Sequence, residues 1–292
     1  MRIFEPHVHM SFRTTDDYQA MEAAGVSVVL EPSSWLGQPR MHVGSFEDHF
    51  ASLLGWERYR ASQFGISHLC ALALNPREAN NGRVAQGVVE LLPRYLPKEG
   101  VVAVGMVGFE DLSTDEEHYF VRQIELARVN ELPLLVHTPL RDKKRATERS
   151  LAILREHRFP EEWVLIEDAS EETLPLVLAT RCWAGCLLGA STGMGEERVA
   201  SAIRRHGPNR ILVSSAADWS ASDPLQVPKL ADRMRAQGLA EDVVQMLLWG
   251  NPIAFFAQSG KLDPVEHGEA ALLGQRGGHA GTLVRAPSPQ IR

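Results

Sequence analysis

The sequence predicts an α/β protein, a (β/α)8 barrel of the TIM-barrel class. Three observations carry this expectation. Eight short apolar runs recur along the 292 residues. Stretches with helical period separate them, which is the pattern of parallel βα units. The whole alternation fits within about 250 residues, the usual size of a closed eight-fold barrel. An open doubly wound sheet is the runner-up, but it usually needs fewer strands.

The runs, in order, are "RIFEPHV" (2–8), "VSVVLEP" (26–32), "ISHLCALAL" (66–74), "GVVAVGMVG" (100–108), "LPLLVHT" (132–138), "WVLIEDA" (163–169), "CWAGCLLG" (182–189) and "RILVSSA" (210–216). Most are rich in Val, Ile or Leu without strict alternation, as strands buried on both faces are. Amphipathic helices are predicted over 15–25, 115–131, 146–157, 171–181 and 195–207. Ser113 or Thr114 ahead of Glu116 and Glu117 forms a capping-box pattern, and Gly25 and Gly207 sit where helix C-caps belong. Residues 225–247 read as closing helices and "GNPIAFF" (250–256) as a last packing segment. The barrel is expected to occupy residues 1–260. Residues 261–292 are rich in Gly, Pro and Ser, lack periodicity, and read as a disordered tail.

Composition narrows the function. The net charge of -7 supplies no dominant basic surface, so a protein living on a nucleic-acid backbone is disfavoured. The three cysteines, Cys70, Cys182 and Cys186, form no disulfide framework and no paired zinc motif. They read as core residues of a protein in a reducing compartment. No run approaches a membrane span and no leader is visible, so a cytoplasmic protein without membrane partners is expected. There is neither a GxGxxG after the first strand nor a P-loop.

The chemistry gathers at the strand ends, because side chains at the C-terminal ends of barrel strands converge on one mouth. Strand 1 ends in "HVH". Residues i and i+2 of a strand share a face, so His7 and His9 present two imidazoles side by side, the commonest protein ligands for zinc. Strand 2 ends in Glu31, strand 3 in Asn75, and strand 4 near Met106 with Glu110 soon after. Strand 5 ends in His137, strand 6 in Glu167 and Asp168, strand 7 around Ser191 and Thr192. Asp218 follows strand 8. Three histidines with several carboxylates suit one or two transition-metal ions. The other eight histidines (His42, His49, His68, His118, His157, His206, His267 and His279) lie off these ends and receive no site role.

This pattern resembles the amidohydrolase superfamily and, within it, the TatD-like metal-dependent hydrolases. The resemblance rests on His7-x-His9, on "LPLLVHTP" around His137 and on an acidic residue after strand 8, and it covers roughly residues 1–260. "LNPREANN" (74–81), "HTPLRDKK" (137–144), "SSAADWSASDPLQVPK" (214–229) and "NPIAFF" (251–256) are similar to one branch, sometimes found in bacterial secondary-metabolite gene clusters. The resemblance implies one or two divalent ions. His7, His9 and the strand 8 acid, Asp218, would hold the first, although Ala216 stands at the commoner position of that acid. Histidines of strands 5 and 6 would hold the second, and a strand 4 glutamate would bridge.

Three positions depart from that pattern. Met106 replaces the bridging glutamate, and a thioether cannot bridge two hard cations. Asp168 stands where a strand 6 histidine is expected, and Leu140 where the branch often has a second histidine. The expected ligand set is therefore His7, His9 and Asp218, helped by Glu31, His137 or Asp168, with one ion favoured over two. Zinc is the first choice, with manganese, iron or magnesium as alternatives. Asp218 is the expected proton acceptor for the attacking water. Arg141, Lys143 and the neighbouring Lys144 are placed to bind an anionic group, and Trp35 and Trp219 to line the pocket. The leading reading is a hydrolase of a small-molecule amide, ester or phosphate. A non-catalytic metabolite- or partner-binding barrel comes second and a TatD-type deoxyribonuclease third. The oligomeric state stays open.

Overall fold

The computed structural model describes residues 1–35, 37–189 and 193–262. Ser191, Thr192 and the tail beyond residue 262 lie outside the described residues. The strands are β1 (Ile3–Glu5), β2 (Val26–Pro32), β3 (Ser67–Leu72), β4 (Val101–Gly108), β5 (Leu134–His137), β6 (Val164–Ile166), β7 (Trp183–Leu187) and β8 (Ile211–Ser214). They form one sheet in sequence order, and every neighbouring pair is parallel. Parallel neighbours joined by helical crossovers leave both faces covered, which explains the continuous apolar runs.

The ring closes just past the assigned strands. Ala216 N–H donates to the His7 carbonyl at 2.9 Å, and His9 N–H donates to the Ala217 carbonyl at 2.8 Å. The residues that shut the barrel are therefore those that carry the first histidines and the acidic loop. This fixes "HVH" against the end of β8 before any side chain acts.

The helices follow the expected order. Thr15–Ala23, Thr114–Val129, Lys143–Glu156, Leu174–Leu178 and Gly195–His206 correspond to the five predicted by periodicity. Ser113 caps Thr114–Val129 with a full capping box through Glu116. A long helical segment from Val43 to Ser62, with a π turn at Leu53–Glu57, and a helix over Gly82–Leu91 fill the second and third crossovers.

Two apolar layers result. One lies between sheet and helices. The other fills the barrel interior with residues such as Val28, Leu69, Val102 and Leu165. "NPIAFF" forms a helix, Asn251–Phe256. Its Phe255 and Phe256 are fully buried in the interior layer, and Phe256 lies 5.4 Å from the Phe4 ring. Asn251 Nδ2 donates to the carbonyls of Pro208 and Ile211, so this helix covers the end where β8 begins, away from the mouth. Burying two phenylalanines there contributes on the order of 3–6 kcal/mol against the chain entropy of folding. The three cysteines are buried and unpaired. No helix among the described residues is long and apolar enough to cross a membrane.

Candidate metal centre at the barrel mouth

A cavity of about 220 Å³ opens at the C-terminal ends of the strands. His7, His9, His137, Glu167, Asp168 and Asp218 contribute its polar wall, and Trp35, Met106, Leu140 and Trp219 are among its apolar lining. Residues that are 210 positions apart in sequence thus share one space, because parallel strands bring every C-terminal end to the same rim.

The two strand 1 histidines meet as the spacing predicts. Their Nε2 atoms are 3.2 Å apart and their rings stand nearly perpendicular. Two nitrogen ligands about 2.0–2.1 Å from one zinc ion, at a tetrahedral angle, lie about 3.3 Å apart. The separation therefore fits two neighbouring ligands of one ion. Behind them, Nδ1 of both rings is buried without a hydrogen bond. Glu167 Oε1 lies 3.5 Å from His7 Nδ1, the place of a carboxylate that orients a metal-bound imidazole. Burial, aided by the adjacent His7, pushes His9 down to about 4, so its ring is neutral at pH 7 and able to ligate.

Asp218 completes this side. Its Oδ1 accepts from Ser220 N–H at 2.8 Å and Ser220 Oγ at 2.6 Å, with Ser222 Oγ at 3.4 Å. Those bonds hold the carboxylate in the β8 loop and leave Oδ2 for a further partner. Glu167 Oε2 is buried and unbonded. A side chain at Gly185 on β7 would run into that oxygen, so the glycine makes room for the carboxylate. Asp168 and Ala216, at the ends of β6 and β8, have left-handed backbones with φ of 55° and 48°. Such conformations are uncommon outside glycine and cluster at functional sites. Among the described residues, no three His, Cys, Asp or Glu side chains already converge as a complete ligand set.

The other side of the mouth is arranged differently. His137 Nε2 lies 3.0 Å from Glu110 Oε2, and the other oxygen of Glu110 pairs with Arg77 at 3.1 Å. Burial would raise the Glu110 carboxyl, but the bonds and charges of His137 and Arg77 outweigh it and hold the group down at about 2. Asp168 Oδ2 lies 2.5 Å from Lys143 Nζ, which also bonds the Asp168 carbonyl at 2.8 Å. Burial still raises Asp168 above the ordinary carboxylate value despite that ammonium.

Three predicted residues are placed away from the cavity lining. Glu31 is fully buried and points into the protein, where Oε1 accepts from Ser11 N–H and Oγ at 2.9 and 2.7 Å and Oε2 meets His68 Nε2 at 2.9 Å. Its carboxyl is raised by burial but brought below its ordinary value by His68, His9 and Ser11 together. It anchors the turn that follows "HVH". Lys143 is spent on Asp168, and Arg141 is exposed beside Leu140. Asn75 lines the mouth and also caps the next helix by accepting from Arg77 N–H.

A family model described as TatD related DNase matches residues 5–256. The chain belongs to the TatD-related DNase family. An uncharacterized metal-dependent hydrolase of Methanocaldococcus jannaschii is 25% identical over 259 residues, which span 87% of this chain and 99% of that protein. Among solved structures, a TatD-like protein from Archaeoglobus fulgidus superposes with a TM-score of 0.70 at 22% identity, covering 87% of this chain and 99% of that one. A phosphotriesterase homology protein from Escherichia coli, solved with phosphate in its active site, gives a TM-score of 0.62 at 15% identity over 87% and 98%. At these identities the two structures speak for the barrel. In this TatD-family barrel the mouth carries the two "HVH" imidazoles and the Met106 thioether.

Some contributions were not legible in the sequence. Glu110 was expected near the end of strand 4, but its partner Arg77 lies a whole βα unit away, and only the barrel joins the two to His137. His68 lies at the start of β3, away from the strand ends, yet it holds Glu31. The available signal for Arg77 was weak, an arginine inside "NPREANN".

Proposed function

We propose that this TatD-family barrel is a metal-dependent hydrolase of a small molecule, working with one divalent ion held by His7, His9 and Asp218. The observation that carries the reading is the His7–His9 pair, with two imidazole Nε2 atoms 3.2 Å apart at the cavity wall. When bound, a divalent ion at such a site lowers the pKa of a water from 15.7 to about 7 and polarises a carbonyl or phosphoryl oxygen. Zinc suits the nitrogen-rich donor set best.

The chain's own groups do the rest. Glu167 Oε1 stands 3.5 Å from His7 Nδ1, where a carboxylate orients the ring of a metal-bound histidine. Asp218 takes the proton of the attacking water and returns it to the leaving group, a role open to a carboxylate within reach of both. The substrate carries an amide, ester or phosphate bond. In the test, protein stripped with a chelator loses hydrolysis of a panel of small esters, amides and phosphate esters and regains it with one equivalent of zinc or manganese. Failure of every such substrate with the metal bound would overturn the reading.

One observation favours the alternative of a non-catalytic binding barrel: the absence, among the described residues, of three converged ligands. That alternative predicts no tight uptake of any divalent ion. The nuclease reading draws on the family's name, and against it stand the net charge of -7 and the apolar lining of the mouth.

A further inference from the structure

We infer that the mouth selects an uncharged small molecule that carries a flat apolar group beside its hydrolysable bond. This rests on the single-ion hydrolase reading and narrows its substrate. Six large apolar side chains ring the cavity, Phe12, Trp35, Met106, Leu140, Leu187 and Trp219, and each comes from a different strand or the loop that follows it. Trp219 and Leu140 are 60% and 59% exposed. Large apolar groups left open around a polar centre mark a binding surface, since exposing them to water has a cost that a ligand relieves. Trp35 is held in place by the Arg77 guanidinium, which stacks 5.1 Å from its ring centre.

The charges point the same way. Arg77 is the one Lys or Arg among the lining residues, and Glu110 already pairs with it. The Lys143 ammonium, behind Asp168, is paired with it at 2.5 Å. The carboxylates of Glu167 and Asp218 form no ion pair with Lys or Arg among the described residues, and Arg13, paired with Asp17, bonds only the Asp218 carbonyl. One divalent ion balances those two carboxylates and leaves no surplus positive charge for a substrate. An anionic group entering here must break an internal pair or lie against acids. An apolar group meets six side chains of its own kind. Specificity of this sort comes as much from what repels the wrong ligand as from what holds the right one.

The test uses the full chain loaded with one equivalent of zinc and measures binding by calorimetry, independent of turnover. Three hydroxamates that share one metal-binding head serve as probes: acetohydroxamate, benzohydroxamate and 4-carboxybenzohydroxamate. Benzohydroxamate is expected to bind at least about tenfold tighter than acetohydroxamate, because a phenyl group is removed from water. The carboxylated probe is expected to lose most of that gain, and a single-stranded oligothymidylate is expected not to compete. Trp219→Ala, at a position 60% exposed to solvent, should lower the benzohydroxamate-to-acetohydroxamate ratio at least threefold. Equal binding of the neutral pair, tighter binding of the carboxylated probe, or an unchanged ratio in the variant would overturn the inference while leaving the hydrolase reading standing. Absence of zinc uptake, with no binding of acetohydroxamate, would overturn both.

Discussion

On one side of the mouth, His7, His9, Glu167 and Asp218 line a shared space, and among the described residues neither carboxylate there is paired with a Lys or Arg; Arg13 reaches only the Asp218 carbonyl. On the β4 to β6 side, the polar groups are equally dense but each is answered from within the protein. Glu110 joins His137 to Arg77, and Asp168 joins Lys143. Buried or half-buried charges need counter-ions. The first side leaves that role to an external cation. The second side carries its cations covalently, on a lysine and an arginine. Two ions need donors on both sides, so the difference teaches why this barrel is read as holding one.

The largest effect expected from breaking the contrast is on the open side. His9→Ala should reduce bound zinc at least about tenfold, since one of few ligands is lost, as read by elemental mass spectrometry on protein purified without chelators. Lys143→Met strikes the other side and should leave metal content unchanged. It should destabilise the protein by about 3 kcal/mol in chemical denaturation, because Asp168 is left buried without its partner. Adding Asp168→Asn to that variant should restore most of the loss, since the pair acts as a unit. If Lys143→Met instead raises the stoichiometry towards two ions, the lysine is what excludes the second.

A smaller effect follows from acid. The Glu110 carboxyl is held at about 2 in the folded chain, below its ordinary 4.5. A depressed carboxylate contributes stability that is present above the unfolded value and lost as pH falls towards the folded one. Denaturation midpoints should therefore drop between pH 4.5 and 2 in the native chain and drop less in Glu110→Gln. Because Glu110 is a quarter exposed, solvent screening keeps this contribution modest.

Much of the fold was readable from the sequence, because parallel strands buried on both faces leave apolar runs that need no long-range knowledge. His7, His9, His137, Asp168 and Asp218 were readable as mouth residues for the same reason: a strand end in such a barrel has one place to go. What stayed hidden were partners. Glu31 closes its strand at the right position, yet it faces Ser11 and His68, and a strand's alternation does not say which neighbour a carboxylate will find. Lys143 looked like a free cation because its partner, Asp168, lies 25 residues further on in the next βα unit. Arg77 and Glu110 show the same limit, since their pairing depends on the register of two neighbouring loops.

The central claim, one ion on the open side of the mouth, is tested most directly by counting metal. Protein purified without chelator or affinity tag, together with His7→Ala prepared in parallel, is assayed by elemental mass spectrometry before and after reconstitution with zinc. The account predicts about one equivalent in the native chain and a loss of at least about tenfold in the variant. Two equivalents in the native chain, or none even after reconstitution, would contradict it.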